Sequence, residues 1–175
     1  MTKKARHQAT PPTREGRLPR GLLPLRVHGR RSSRRDQERL GEEIEIDSVE
    51  LGHHELGDAW VTEAGPRAPA KFVIHVAAMD RDKNTSEAIL QFATAAALHA
   101  AETRRVTSVA FSALGTGSAQ HPPEAAGGTI GRAVAEHIRR AEPPSHVKDV
   151  VFVVLDKQVL HEFEAGLRVG LVATK

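Results

Sequence analysis

Three short runs of β-branched and aromatic residues limit what this chain can fold into. They are FVIHVAA at 72–78, VTSVAFSAL at 106–114 and DVVFVVLD at 149–156. Runs of this length read as strands buried in a sheet that is covered on both faces. A fourth segment, DAWVTEA at 58–64, alternates and is β-prone. Helical patterns separate the runs. Asn84 to Glu102 can be capped by Thr85 or Ser86, with Ile89, Phe92, Ala96 and Leu98 to Ala100 as its apolar face. Pro122 to Ala141 carries proline in its first turn and Ile130, Val134 and Ile138 on one stripe, and Pro143 and Pro144 end it. Gln158 to Arg168 closes the chain with Leu160, Phe163 and Leu167. The order β-β-α-β-α-β-α predicts an α/β fold. Ligands in such folds sit at the carboxyl ends of the strands, beside the helix N-termini.

The stretch SALGTGSAQHPPEAAGG at 112–128 lies at that position. Glycine lets the backbone approach a ligand and adopt positive φ. The amides of Gly115, Thr116, Gly117 and Ser118, with the following helix N-terminus, can form a nest for a phosphate, and Thr116 and Ser118 add hydroxyl donors. The stretch is not a Walker loop, because no Gly-Lys-Ser/Thr follows. It lacks the dinucleotide spacing, and Ser118 is outside any G-x-S-x-G elbow. Read by itself, it is equally a plain tight turn.

Composition divides the chain. Residues 1–40 hold 12 Lys/Arg against 3 Asp/Glu, whereas residues 41–175 hold 13 against 19. The first forty residues include Pro11, Pro12, Pro19 and Pro24 and no aromatic residue. They read as a basic, disordered arm, because high charge with little apolar content cannot offset the cost of ordering. Such an arm can take nucleic acid through phosphate contacts. Stacking on bases is unsupported, and the prolines break the helix that a mitochondrial presequence needs. The absence of cysteine excludes disulfide and thiolate chemistry. No apolar run reaches the ~20 residues of a membrane helix and no signal-peptide h-region is present, so the expectation is a cytoplasmic protein that makes no membrane contact.

Over residues 41–168 the chain resembles the macro domain family. The resemblance rests on GDAWVTEAG at 57–65, KFVIHVAAMD at 71–80, SVAFSALGTGSAQHPPEAA at 108–126 and DVVFVVLD at 149–156, in that order and spacing, and Glu42 to Gly52 fits the lead-in to the first of them. The resemblance implies a three-layer α/β/α sandwich with a mixed sheet and a cleft for ADP-ribose or an ADP-ribosylated protein or small molecule. Leu114 to Gln120 would correspond to the family's second phosphate-binding loop. Ala113, Leu114, Gly115, Thr116, Gly117 and Ser118 would wrap the diphosphate and distal ribose, and Val76, Ala77 and Ala78 would border the cleft. Family members read ADP-ribose or hydrolyse ADP-ribosyl esters and related derivatives (Appr-1-p processing). No cofactor is implied.

The chain departs from the family pattern at its start. Two opening strands, a Val-Asn-Ala-Ala-Asn-like strand end and a Gly-Gly-Gly-like loop are not found, so the N-terminal strands read as missing or replaced. Those elements carry much of the hydrolases' catalytic apparatus, and no catalytic residue is assigned here. The nearest candidate strand is Gly21 to His28, with Pro24 in its middle, where a central strand tolerates proline poorly. The abrupt change of composition at Leu40–Gly41 is what a shifted reading frame in GC-rich DNA produces, and a degenerate, non-functional domain is a further reading. Leu155 stands near the place where many members stack an aromatic residue on adenine, and Phe152 is expected in the core.

The remaining polar candidates are weaker. His53 and His54 are adjacent and have no third ligand at metal spacing, so no metal site is expected. His75 reads as a packed strand residue, and Trp60 as packing. Asp80 and Asp82 read first as a solvated turn. His121 follows the glycine loop closely enough to reach a phosphate. Asp156 ends a strand on the ligand side and is a binding candidate.

Overall fold

Hydrophobic runs and helix caps divide the chain into the expected alternation. The computed structural model describes residues 25–29 (main chain), 54–64, 68–141 and 144–173. Its elements are β1 (Leu25–Gly29), β2 (Ala59–Glu63), β3 (Phe72–Val76), α1 (Glu87–Thr103), β4 (Ser108–Ser112), α2 (Pro123–Arg140), β5 (Asp149–Val153) and α3 (Lys157–Val172). The sheet order is β2-β3-β1-β4-β5. β1 runs parallel to β3 and β4, β5 runs parallel to β4, and β2 is antiparallel to β3, which makes the sheet mixed.

β1 comes from the segment predicted to be an arm. The strand begins after Pro24, so the missing proline N–H falls outside the ladder. Val27 pairs with Ile74 on one side and Phe111 on the other. Five residues of the first forty therefore lie at the centre of the sheet, which corrects the reading of that whole segment as an arm. The other thirty-five, and the second helical layer of the expected sandwich, lie outside the described residues.

The three helices among the described residues share one face of the sheet. Ile74, Val76, Val109 and Phe111 point into a core with Leu90, Ala97 and Leu98 of α1, Ile130 and Val134 of α2, and Phe163 and Leu167 of α3. Phe152 joins them, its ring 5.9 Å from Phe111 and 5.8 Å from Phe163. Val73 packs with Ala64 and Ala70 in a second cluster.

The helices begin and pack for identifiable reasons. Ser86, not Thr85, caps α1 by accepting from the Ile89 N–H. Asp156 caps α3 by accepting from the N–H groups of Gln158 and Val159. α2 starts on two prolines and has no side-chain cap. The expected helix faces need correction. α1 buries Leu90, Ala93, Ala97, Leu98 and Ala101, and Phe92 is exposed, because alanines let the helix sit close to the sheet. Ile138 and Leu160 are exposed as well.

α2 and α3 touch backbone to backbone. A Cβ added at Gly166 would lie 1.9 Å from the Glu124 carbonyl oxygen, and one at Gly170 would lie 2.1 Å from that of Gly128. No residue larger than glycine fits this crossing.

Candidate functional site

The parallel strands β1, β3, β4 and β5 all end at one edge of the sheet. The β3–α1, β4–α2 and β5–α3 connections leave that edge beside three helix N-termini. At ~4.8 Å per strand, the end of β3 lies ~14 Å from the end of β5, the scale of an elongated phosphate-containing ligand.

The β4–α2 loop is built from its own backbone. Gly115 adopts φ +83°, and Leu90 methyls lie 3.1 and 3.2 Å from where a Cβ would stand. The His121 N–H donates to the Gly115 carbonyl at 2.9 Å, and Gln120 N–H donates to the Gly117 carbonyl at 3.0 Å. The Thr116 N–H and hydroxyl both turn back to the Ala113 carbonyl, the hydroxyl at 2.8 Å. Thr116 was expected to offer a hydroxyl proton to a ligand, but its proton is already committed to the turn. The main-chain N–H groups of Gly115, Gly117, Ser118 and Ala119 have no partner among the described residues. The Ser118 hydroxyl is likewise unpartnered there. Nothing lies within 4 Å of a Cβ placed on Gly117, so a ligand can approach the backbone at that point.

Two buried polar atoms at this edge have no partner among the described residues, His121 Nε2 and Thr85 Oγ1. Buried polar atoms are ordinarily satisfied by protein, water or ligand, so each marks a place where one is needed. Thr85 was read only as a possible cap. The sequence carried no signal for more, because Thr85 and Ser86 were equal candidates for the cap and only the structure assigns it to Ser86.

The scan against protein-family models matches the macro domain model to residues 37–130. The chain belongs to the macro domain family. It is similar to an uncharacterized protein of Mycobacterium tuberculosis, 35% identical over 130 residues, covering 74% of this chain and 34% of the other. The chain thus spans about a third of the length of the mycobacterial relatives it matches. An uncharacterized Aquifex aeolicus protein is 36% identical over 131 residues, covering 73% of this chain and 76% of the other. Among solved structures, the Trypanosoma brucei macrodomain in complex with ADP-ribose superposes with a TM-score of 0.71 at 13% identity, covering 81% of this chain and 62% of that one.

This macro domain brings only some of the sequence candidates to the loop. Leu114 is buried beneath it, and Ala113 anchors the turn through its carbonyl. Ala77 and Ala78 are buried at the end of β3, two strands away from β4. The Ala77 N–H and carbonyl are already bonded to Asp58 and Gly57. Asp156 stands at the end of β5, with one carboxylate oxygen engaged as the α3 cap. Asp80 closes its own loop, with both carboxylate oxygens held by Asn84. The Asn84 N–H, aided by its side-chain amide, lowers the Asp80 carboxyl below its ordinary pKa.

The other candidates lie elsewhere. His54 stacks on Trp60 with ring centroids 3.9 Å apart, Trp60 stacks on His75 at 5.4 Å, and His75 is hydrogen-bonded to Thr62 at 2.9 Å. His53 lies outside the described residues. Among the described residues no group of three or more His, Cys, Asp or Glu side chains is arranged to hold a metal ion.

Proposed function

We propose that this macro domain binds ADP-ribose or an ADP-ribosyl group, with the diphosphate held by the β4–α2 loop. One observation carries the reading: the N–H groups of Gly115, Gly117, Ser118 and Ala119 meet no partner among the described residues, in a loop that its own backbone already holds in shape. Preformed donors cost little to organise when the anion arrives, and hydrogen bonds to charged groups contribute about 1.5–3 kcal/mol each. Open space at Gly117 gives the phosphate its approach, and the uncapped start of α2 adds its dipole. The superposition on an ADP-ribose complex supports the same ligand.

Within this proposal Ala77 and Ala78 form an apolar wall of the cleft, and Asp156 its far rim. The test is a thermal melt with and without ADP-ribose. A ligand that binds only the folded state stabilises it by about 2.7 kcal/mol at 100 times its Kd, which raises the midpoint by several degrees. A cooperative melt that ADP-ribose leaves unmoved at millimolar concentration contradicts the proposal.

A further inference from the structure

We propose that Glu87, Thr129 and Arg132 form a positioning bridge that sets the β4–α2 loop for the diphosphate. The proposal rests on the ADP-ribose reading above. The bridge joins the first turn of α1 to α2. The Arg132 guanidinium donates to Glu87 Oε2 at 3.0 Å and to the Thr129 hydroxyl at 3.2 Å. The Thr129 hydroxyl in turn donates to the same Glu87 oxygen at 3.3 Å. One hydroxyl can give its proton to a carboxylate and accept from a guanidinium at once, so the three bonds are compatible. Thr129 is fully buried, whereas Arg132 and Glu87 are 39% and 58% exposed.

The bridge reaches the loop through α1 and α2. Glu87 and Leu90 stand three residues apart and share a face of α1. The Leu90 methyls lie 3.1 and 3.2 Å from where a Cβ of Gly115 would stand, so the turn of α1 that carries the bridge also buttresses the loop. Thr129 and Arg132 are likewise three residues apart, on the helix that begins where the loop ends. Another flank of α2 is fixed against α3. A Cβ on Gly127 would lie 2.2 Å from the Phe163 carbonyl oxygen, so α2 cannot shift that way. The bridge sets how far α2 stands from α1, and with it the gap between the β4–α2 loop and the β3–α1 connection.

That gap matters more to a ligand than to the fold. N–H donors grip a phosphate oxygen in a narrow range around 2.9 Å, and a drift of ~0.5 Å in the donors spoils the grip. An exposed ion pair contributes little to stability, because water solvates both charges nearly as well. Cutting the bridge should therefore weaken binding and leave the melting midpoint nearly unchanged.

Calorimetric titration of ADP-ribose into variants of the full chain tests the proposal. Glu87→Ala and Arg132→Met should each bind roughly tenfold more weakly than wild type, the low end of what losing an orienting partner costs a metal site. The double variant should be no weaker than either single one, because each change cuts the same bridge. Glu87→Gln keeps an acceptor oxygen and should bind within about twofold of wild type. Each variant should melt within a few degrees of wild type. Wild-type affinity in both single variants overturns the proposal, as do losses that add in the double variant. A loss in Arg132→Met alone also overturns it, because Arg132 would then act on the ligand directly. If wild type itself binds no ADP-ribose, the diphosphate reading fails, and hydrogen exchange in the free protein decides the bridge. The Gln120 and His121 amides close the loop. Faster exchange of these amides in Glu87→Ala and Arg132→Met than in wild type upholds the bridge, and equal rates overturn it.

Discussion

The His121 N–H donates to the Gly115 carbonyl at 2.9 Å and closes the loop between β4 and α2. That bond separates the two glycines of the loop into different roles. Gly115 anchors the closure, at positive φ against Leu90, whereas Gly117 lies within the closed stretch and faces open space.

Gly115→Ala should therefore destabilise the fold by about 1–2 kcal/mol, from the left-handed backbone and the crowded Leu90 methyls. Gly117→Ala should leave stability within about 0.5 kcal/mol of wild type. Urea unfolding of the two variants measures the difference. Equal losses would show that the two glycines share one structural role.

Gly166→Ala should cost about 3 kcal/mol or more, because the added methyl meets the Glu124 carbonyl and neither helix can retreat without opening the core under Phe163. Circular dichroism during chemical denaturation reads this directly. A variant as stable as wild type would mean that α2 and α3 pack less closely than described.

The pH dependence of stability should report on Glu102, far from the ligand edge. Partial burial pushes its carboxyl up, but the donors outweigh that effect and hold its pKa at about 2. Those donors are the Ser145 hydroxyl, the His146 N–H, and the rings of His137 and His146. A carboxyl depressed in the folded state adds stability that is present above its unfolded pKa of about 4.5 and is lost as pH falls toward 2. The contribution is on the order of 2 kcal/mol. Glu102→Gln should thus be destabilised against wild type at pH 7, with the gap narrowing steadily as pH falls below 4.5. A gap that is constant with pH would mean that the carboxylate's charge contributes nothing.

His121→Phe should move stability and binding in opposite directions. Removing a buried nitrogen that has no partner among the described residues relieves about 1 kcal/mol of desolvation cost in the free protein. The same change removes a polar contact at the loop, so ADP-ribose affinity should fall severalfold. Melting curves and a binding titration on the one variant test both signs. A variant that is more stable and binds as well as wild type would exclude His121 from the site.

The parts legible in the sequence were those set by periodicity. FVIHVAA, VTSVAFSAL and DVVFVVLD became β3, β4 and β5, and the three helices followed with their ends nearly as read. β1 was discounted although Gly21 to His28 was the nearest candidate strand, because Pro24 fell in the middle of that range; the strand runs from Leu25 to Gly29 and so begins after the proline. Helix faces were misjudged where small residues face the core, as with Ala93 and Ala97 against exposed Phe92. The α2–α3 crossing was not read from the sequence: glycines stand at 127, 128 and 131 and at 166 and 170, but only the close approach of the two backbones gives them a role. In the site, glycine content announced the loop. Which hydroxyls and amides remain free depends on bonds such as Thr116 to Ala113, which no residue pattern displays.

Calorimetric titration of ADP-ribose into wild-type protein and into Gly117→Val tests the central claim most directly. The account predicts saturable one-to-one binding by wild type and at least tenfold weaker binding by the variant, with both proteins melting at the same temperature. No binding by wild type, or equal affinity for both proteins, would contradict the assignment of the β4–α2 loop as the diphosphate site.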